Sequence, residues 1–88
     1  MGMFGLFLFG EKDEILLRKV ATIHGYDYAK LRKIYTEVMN ENVDYDHKDF
    51  KFISEYDVTM VEEIAKLHKV DVAMVEDKYK EVLIRMDA

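Results

Sequence analysis

The second half of this chain repeats the first half without a gap. Residues 5–39 align on residues 49–83 at a constant offset of 44, and nine of the 35 aligned pairs are identical. Such a repeat indicates one supersecondary unit that is used twice and buries its apolar face against its copy. The sequence therefore predicts one domain, residues 1–88, built of unit one (1–44) and unit two (45–88). The identical pairs are Glu11/Glu55, Asp13/Asp57, Ala21/Ala65, His24/His68, Asp27/Asp71, Ala29/Ala73, Tyr35/Tyr79, Glu37/Glu81 and Val38/Val82.

The composition predicts a mainly α fold. The chain has no proline, and three of its four glycines lie within the first ten residues, so little interrupts helices after that point. The absence of cysteine excludes disulfides, thiolate metal sites and thiol nucleophiles, and it fits a reducing, cytoplasmic location. The net charge of −5 disfavours general attraction to nucleic acid or anionic membranes, although a local basic face is compatible with it.

The opening segment, residues 1–10, is apolar. It is too short to cross a bilayer, which takes about 20 residues, and it lacks the basic start of a signal peptide. We expect it to join the core as a strand or arm; a membrane-surface anchor and a partner-docking arm are the alternatives. Its alternating apolar residues match those of the aligned segment, which predicts a short two-stranded β ribbon from residues 5–9 and 49–53. A helical interpretation of residues 46–56 competes with the ribbon.

A first helix is predicted in each unit. Asp13 marks its start in unit one, and Thr59 with Glu62 forms a capping-box pattern in unit two. Apolar residues recur at the i, i+4, i+7 spacing of an inward helix face. The predicted inward residues are Leu16, Val20 and Ile23 in unit one and Met60, Ile64 and Leu67 in unit two.

A second helix follows after a turn of about three residues. Gly25 suits the left-handed position that commonly ends a helix, and Asp27 and Asp71 are predicted to cap the second helices. Unit two has Lys69 in place of the glycine, so a left-handed Lys69 would be strained. The predicted inward residues are Tyr28, Leu31, Tyr35 and Val38, matched by Val72, Val75, Tyr79 and Val82.

The segment VATIHGYDYAKLRKIY resembles the helix-turn-helix of lac-repressor-type DNA-binding proteins. Ala21 matches the small residue at the helix crossing, Gly25 the turn glycine and Asp27 the cap of the recognition helix. The resemblance covers about 17 residues and recurs imperfectly in unit two, which has Lys78 where an apolar residue is expected. Together with the repeat, it implies two tandem helix-turn-helix-like units related by pseudo-twofold symmetry. It implies base-reading positions at Tyr28, Ala29, Arg32, Lys33 and Thr36, with Lys30 beside them.

The two units differ in the sign of matched charges. Arg18, Lys19, Arg32 and Lys33 of unit one align with Glu62, Glu63, Glu76 and Asp77 of unit two. One hypothesis is DNA binding in a regulatory role through unit one. The alternative is a protein-interaction or self-assembly module in which the four anions bind a partner; a third is that these charges are merely solvated. The predicted DNA-binding residues are Arg18, Lys19, Lys30, Arg32, Lys33 and Thr36.

The residues that could support chemistry do not form a recognisable site. His24 and His68 each precede an aspartate by three residues, but a helix C-terminus favours histidine without a metal. Ser54 lacks a histidine at a known spacing, and the acidic segment 43–50 lacks the glycine and distal glutamate of a calcium loop, so we interpret it as a solvated linker. We expect no enzyme activity, metal or cofactor. The expected partners are duplex DNA or a protein, including a second copy, and neither a membrane nor a small-molecule substrate.

Overall fold

A computed structural model describes residues 8–88, which fold into four α-helices. These are α1 (Glu11–His24), α2 (Tyr28–Met39), α3 (Glu55–His68) and α4 (Val72–Met86). The predicted mainly α fold is therefore confirmed. The bounds of α3 are those of α1 shifted by 44 residues, and α4 begins 44 residues after α2. The expectation for the first seven residues lies outside the described part of the chain.

The predicted ribbon is wrong at residues 49–53, which form turns and bends, and residues 8–88 contain no strand. Phe50 and Phe52 instead pack edge to face, with ring centroids 6.1 Å apart. The Phe52 ring also lies 5.6 Å from that of Tyr79 on α4. The alternation thus directs aromatic rings onto the helices without any strand pairing. Residues 5–7 of the other predicted strand are outside the described range.

Each first helix begins earlier than the cap patterns predict. In α1, Asp13 is the third residue, and its Oδ2 accepts a hydrogen bond from the Gly10 amide at 2.8 Å. In α3, the Ser54 hydroxyl oxygen accepts from the Tyr56 amide at 3.0 Å. The capping box at Thr59 and Glu62 is therefore wrong: Thr59 lies inside α3, since Ser54 already supplies the side-chain acceptor that a helix start requires.

Both interhelical turns end the preceding helix with a left-handed residue. Gly25 has φ 73° and Lys69 has φ 56°. After each, the next amide donates back across the turn, from Tyr26 to the Ala21 carbonyl oxygen at 2.8 Å and equivalently in unit two. Asp27 caps α2 by accepting from the Lys30 amide at 3.1 Å. Asp71 occupies the N-cap position of α4 as predicted, but the predicted hydrogen bond is wrong, because its side chain makes no cap hydrogen bond.

The core is one layer of apolar side chains shared by all four helices. The predicted inward positions Ile23, Leu67 and Val72 are wrong, since these side chains are 50%, 38% and 45% exposed. In α1 and α3 the buried stripe instead follows an i, i+4, i+8 course from each buried aspartate, which leaves Ile23 and Leu67 outside. Val72 is the first residue of α4, and the buried face of that helix begins at Val75. The buried apolar residues include Leu17, Val20, Ala21, Leu31, Tyr35, Val38, Met60, Val61, Ile64, Ala65, Val75, Tyr79 and Val82.

Two histidine–aspartate pairs join α1 to α3. His24 Nε2 lies 3.0 Å from both carboxylate oxygens of Asp57, and His68 Nε2 lies 2.8 Å from Oδ1 of Asp13. Both aspartates are buried. The start of each helix therefore meets the end of the other, so α1 and α3 run antiparallel, and each unit contributes one histidine and one aspartate.

The second helices, α2 and α4, pack against each other through their buried faces. Lys78, where the resemblance calls for an apolar residue, is 3% exposed. Its ammonium donates to the Val38 carbonyl oxygen at 3.2 Å and to that of Glu41. Carbonyl groups at a helix C-terminus favour a cation. A buried lysine of unit two therefore caps the end of α2.

The linker between the units is not fully solvated, which corrects the expectation for residues 43–50. Tyr45 and His47 are half-buried. Tyr45 donates to Glu41, and His47 Nε2 lies 2.7 Å from Oε1 of Glu81 on α4. Arg85 donates to Glu81 at 2.7 Å and to the Tyr45 hydroxyl oxygen at 2.9 Å, which fixes the linker over α4.

Candidate nucleic-acid interface

The predicted base-reading residues share one side of α2. Ala29, Arg32, Lys33 and Thr36 follow the i, i+3, i+4, i+7 spacing of a helix face and line one shallow groove. The first three are exposed and Thr36 is half-buried. We call these four residues the α2 strip. The opposite face of α2 is buried in the core, so among residues 8–88 the turn and the helix packing leave the strip largely exposed.

Two aromatic rings stack on arginines here, one on Arg32 within the strip and one on Arg18 beside it. The Arg32 guanidinium lies 4.4 Å from the centroid of the Phe9 ring, and that of Arg18 lies 4.0 Å from the centroid of Tyr28. Arg18 Nε also donates to Glu14 at 2.9 Å. Such cation–π contacts hold a guanidinium in place while its N–H groups stay available at the ring edge. The sequence did not predict this stacking.

The remaining predicted cations are divided between two sides. Lys30 is exposed one turn before Lys33 on α2. Lys19 lies on the α3 side of α1, with its Nζ 6.0 Å from the centroid of the Tyr56 ring. The structure therefore groups Lys30 with the α2 strip, places Arg18 at its edge and puts Lys19 apart from it.

Tyr28 borders the strip but presents little polar surface. It is half-buried, as expected from its place on the apolar stripe. Its hydroxyl is buried and has no hydrogen-bond partner among residues 8–88. A hydroxyl in that position is not available to read a base edge. The Tyr28 ring instead provides the surface on which the Arg18 guanidinium stacks.

The side of α4 that is equivalent to the α2 strip is partly covered by other residues. Lys80, at the position equivalent to Thr36, is 7% exposed, and its Nζ lies 2.9 Å from Oε2 of Glu76. Lys80 also donates to the carbonyl oxygen of His47 in the linker, at 3.5 Å. The linker therefore covers part of the α4 side, whereas no described segment after α1 covers the α2 strip.

The predicted partner-binding anions do not share one surface, and Glu76 is paired with Lys80. Asp77 lines a groove between α4 and the linker together with Asp44 and Asp71. Glu63 lines a separate depression between α1 and α3 with Lys12 and other residues, and Glu62 is exposed nearby on α3. We call the first of these, formed by Val43, Asp44, Tyr45, Asp71, Ala73, Met74, Asp77 and Lys78, the α4 groove.

The sequence interpretation missed the two buried histidine–aspartate pairs, which are polar clusters of the kind that functional sites often contain. Asp13 and His24 are eleven residues apart, as are Asp57 and His68, and all four occupy identical repeat positions. Eleven residues are close to three helical turns, so an antiparallel helix pair brings each histidine to the other helix's aspartate. Within residues 8–88, no group of three or more histidine, aspartate or glutamate side chains is arranged to hold a metal ion.

Comparisons with protein-family models, with curated proteins and with solved structures give no significant match to this chain. None of the helices in residues 8–88 combines the length and apolar composition needed to cross a membrane.

Proposed function

We propose that this chain is a small non-catalytic protein that binds duplex DNA in a regulatory role through the α2 strip. The observation that carries the proposal is the exposure of Ala29, Arg32 and Lys33 along one side of a helix whose other side is buried. An α-helix presented in this way has the dimensions to enter the major groove. The resemblance of the α1–α2 segment to a helix-turn-helix supports the same use of α2.

The charges around the strip give each cation a role. In this proposal Arg32 and Lys33, on the strip, reach base edges, where an arginine can donate two hydrogen bonds to guanine. Lys30 and Arg18, beside the strip, contact phosphates. Thr36 supplies a half-buried hydroxyl farther along the helix. A contact made by so few cations on a chain of net charge −5 should be weak and strongly dependent on salt.

Fluorescence anisotropy of a labelled duplex at low and at higher salt tests the proposal. We expect non-specific dissociation constants of about 10⁻⁶ to 10⁻⁴ M that weaken steeply with salt. The double variant Arg32→Ala, Lys33→Ala should bind more weakly, because it removes both cations that are proposed to reach base edges. The matched control is Lys48→Ala, Lys51→Ala, which removes the same charge from two exposed linker residues.

Two results would overturn DNA binding through the α2 strip. One is the absence of any anisotropy change with duplex even at low salt. The other is equal binding by the strip variant and the linker control, because general electrostatic attraction would then account for the whole signal.

Protein association is the second candidate function, and the α4 groove favours it. Three aspartates of this groove surround apolar surface that includes Val43, which is 47% exposed. A groove that is lined by three aspartates would repel phosphate. Because apolar residues line it as well, it suits a basic, partly apolar protein surface. The negative charge of this groove therefore favours a protein partner there, whereas the positive charge of the α2 strip favours DNA.

A further inference from the structure

The α4 groove carries the negative charge of three aspartates, of which Asp44 and Asp71 are exposed and Asp77 is half-buried. Asp44, Asp71 and Asp77 line it, and the Asp71 carboxylate does not cap the helix that it precedes. Lys78 also lines the groove, but its ammonium donates to carbonyl oxygens at the end of α2. The lining of the groove therefore contains three carboxylates, while the ammonium of its one lysine is directed into the protein.

The α2 strip has the complementary properties. Arg32 and Lys33 provide positive charge, and Phe9 and Ala29 provide apolar surface in the same groove. Val43 and Met74 provide the apolar part of the α4 groove. Both surfaces thus combine apolar contact with one sign of charge, and the signs are opposite.

One chain cannot bring these two surfaces together. Leu31 and Tyr35 on α2 and Val75 and Tyr79 on α4 are buried in the shared core. The α2 strip and the exposed side of α4 therefore point away from the buried face between the helices. Any pairing of the strip with the groove has to occur between two molecules.

We propose that the α4 groove binds the α2 strip of a second copy of this chain, with Arg32 and Lys33 of one molecule facing Asp77 and Asp44 of the other. The proposal develops the protein-association candidate and does not rest on DNA binding. The two surfaces differ, so the contact is heterologous. The assembly is closed if two molecules make the contact in both directions or if several form a ring, and otherwise it grows into an open chain of molecules. Since the same strip is proposed to bind DNA, self-pairing and duplex binding exclude each other.

Sedimentation velocity over a concentration series tests the pairing. At about 0.1 M salt we expect association that increases with concentration; at about 1 M salt, where the Debye length falls from about 10 Å to about 3 Å, we expect a monomer. Lys33→Asp and Asp77→Lys should each weaken self-association by at least about tenfold, because each places like charges together. A 1:1 mixture of the two variants should recover it, since the native strip of Asp77→Lys can face the native groove of Lys33→Asp, and the two reversed surfaces also carry opposite charge.

Further variants keep the result interpretable. Asp44→Lys, in the linker, repeats the groove test without changing a helix, and far-ultraviolet circular dichroism checks that each variant is folded. Asp46→Lys is the matched control, because Asp46 is exposed in the same linker but does not line the groove. Duplex anisotropy on Asp77→Lys separates the two proposals: DNA binding should persist in this variant while self-association is lost.

Three outcomes would overturn the self-pairing. The first is a monomer at every concentration in low salt. The second is association that Lys33→Asp and Asp77→Lys leave unchanged, and the third is a mixture of the two variants that fails to recover it. If the monomeric chain instead binds an oligo-lysine peptide and Asp77→Lys abolishes that binding, the groove belongs to a foreign basic partner.

Discussion

His24 on α1 and Asp57 on α3 meet through an imidazole nitrogen that lies 3.0 Å from both oxygens of a fully buried carboxylate. The reverse pair, His68 with Asp13, repeats the contact at the other end of the two helices. Buried carboxylates remain in place only where hydrogen bonds and opposite charge offset their lost hydration. These two pairs therefore fix how the first helices of the two units lie against each other.

Replacing Asp57 with alanine should strongly destabilise the fold. The substitution leaves His24 and the Tyr79 hydroxyl without their shared acceptor and opens a cavity. Removing one partner of a buried pair typically costs about 3–5 kcal/mol of unfolding free energy. Urea denaturation measures the loss, with Asp46→Ala as the control, because Asp46 is exposed in the linker. A loss no larger than that of the control would contradict a structural role for the pair.

Two tyrosines at equivalent positions should respond differently to phenylalanine. Tyr79 donates to Asp57, whereas the buried hydroxyl of Tyr35 has no partner among residues 8–88. Burial raises the pKa of both phenols, so both stay neutral, but only Tyr79 has an acceptor among residues 8–88. Tyr79→Phe should cost about 1.5–3 kcal/mol, the range for a hydrogen bond to a charged group, and Tyr35→Phe should be near neutral or stabilising. Equal losses in urea denaturation would show that Tyr35 has an acceptor.

The two left-handed residues predict opposite effects of substitution. Lys69 at φ 56° carries a side chain in a region that glycine occupies without penalty, so Lys69→Gly should raise stability by about 1 kcal/mol. Gly25→Ala should lower it by a similar amount. A Cβ at Gly25 would meet no atom within 4 Å, so this loss reports backbone conformation and not a clash. Thermal melts of both variants provide the test; a lower melting temperature for Lys69→Gly would contradict it.

Lys78 should make stability depend on pH in the alkaline range. Burial lowers the pKa of this lysine in the folded protein, while the unfolded chain keeps the ordinary value. Between the two values the unfolded state binds more protons, so raising the pH through this window should increase stability. Lys78→Met removes the effect and leaves every tyrosine in place. The unfolding free energy of wild type should therefore increase relative to that of Lys78→Met as the pH rises towards the ordinary lysine pKa.

That comparison isolates one group among several that titrate in the same range. Burial and the nearby Asp87 raise the pKa of Tyr26 to about 12, for example, but Tyr26 is present in both proteins. A difference between wild type and Lys78→Met that stays constant over the alkaline range, or that moves the other way, would show that Lys78 is not held in a desolvated position.

The sequence pattern was sufficient for helix content and for most of the core. Apolar spacing placed Val20, Leu31 and Val38 inside, and they are buried. It failed by one position at Ile23 and Leu67, because the buried stripe begins at an aspartate that a hydrophobicity pattern counts as polar. It also failed at residues 49–53, where alternation was taken for a strand. Alternation alone does not distinguish a strand from aromatic residues that anchor a loop on helices.

The candidate site could be predicted in part for a similar reason. Helical periodicity from the turn was enough to place Ala29, Arg32 and Lys33 on one side of α2. The separation of Lys19 from this strip depends on how α1 packs against α3, which local spacing does not specify. The acidic groove requires knowledge of where the linker runs, since Asp44 is 27 residues from Asp71 and comes near it only through the fold.

The crossed histidine–aspartate pairs also determine what would follow a break in the backbone. Each histidine–aspartate pair takes one residue from each unit. The buried apolar faces of α2 and α4 likewise belong to one core that both units form. Proteolytic nicking at the exposed linker positions Lys48 or Lys51 would cut the connection without removing any of these contacts. The two fragments should therefore remain associated as a complex, and separately produced fragments should fold by complementing one another.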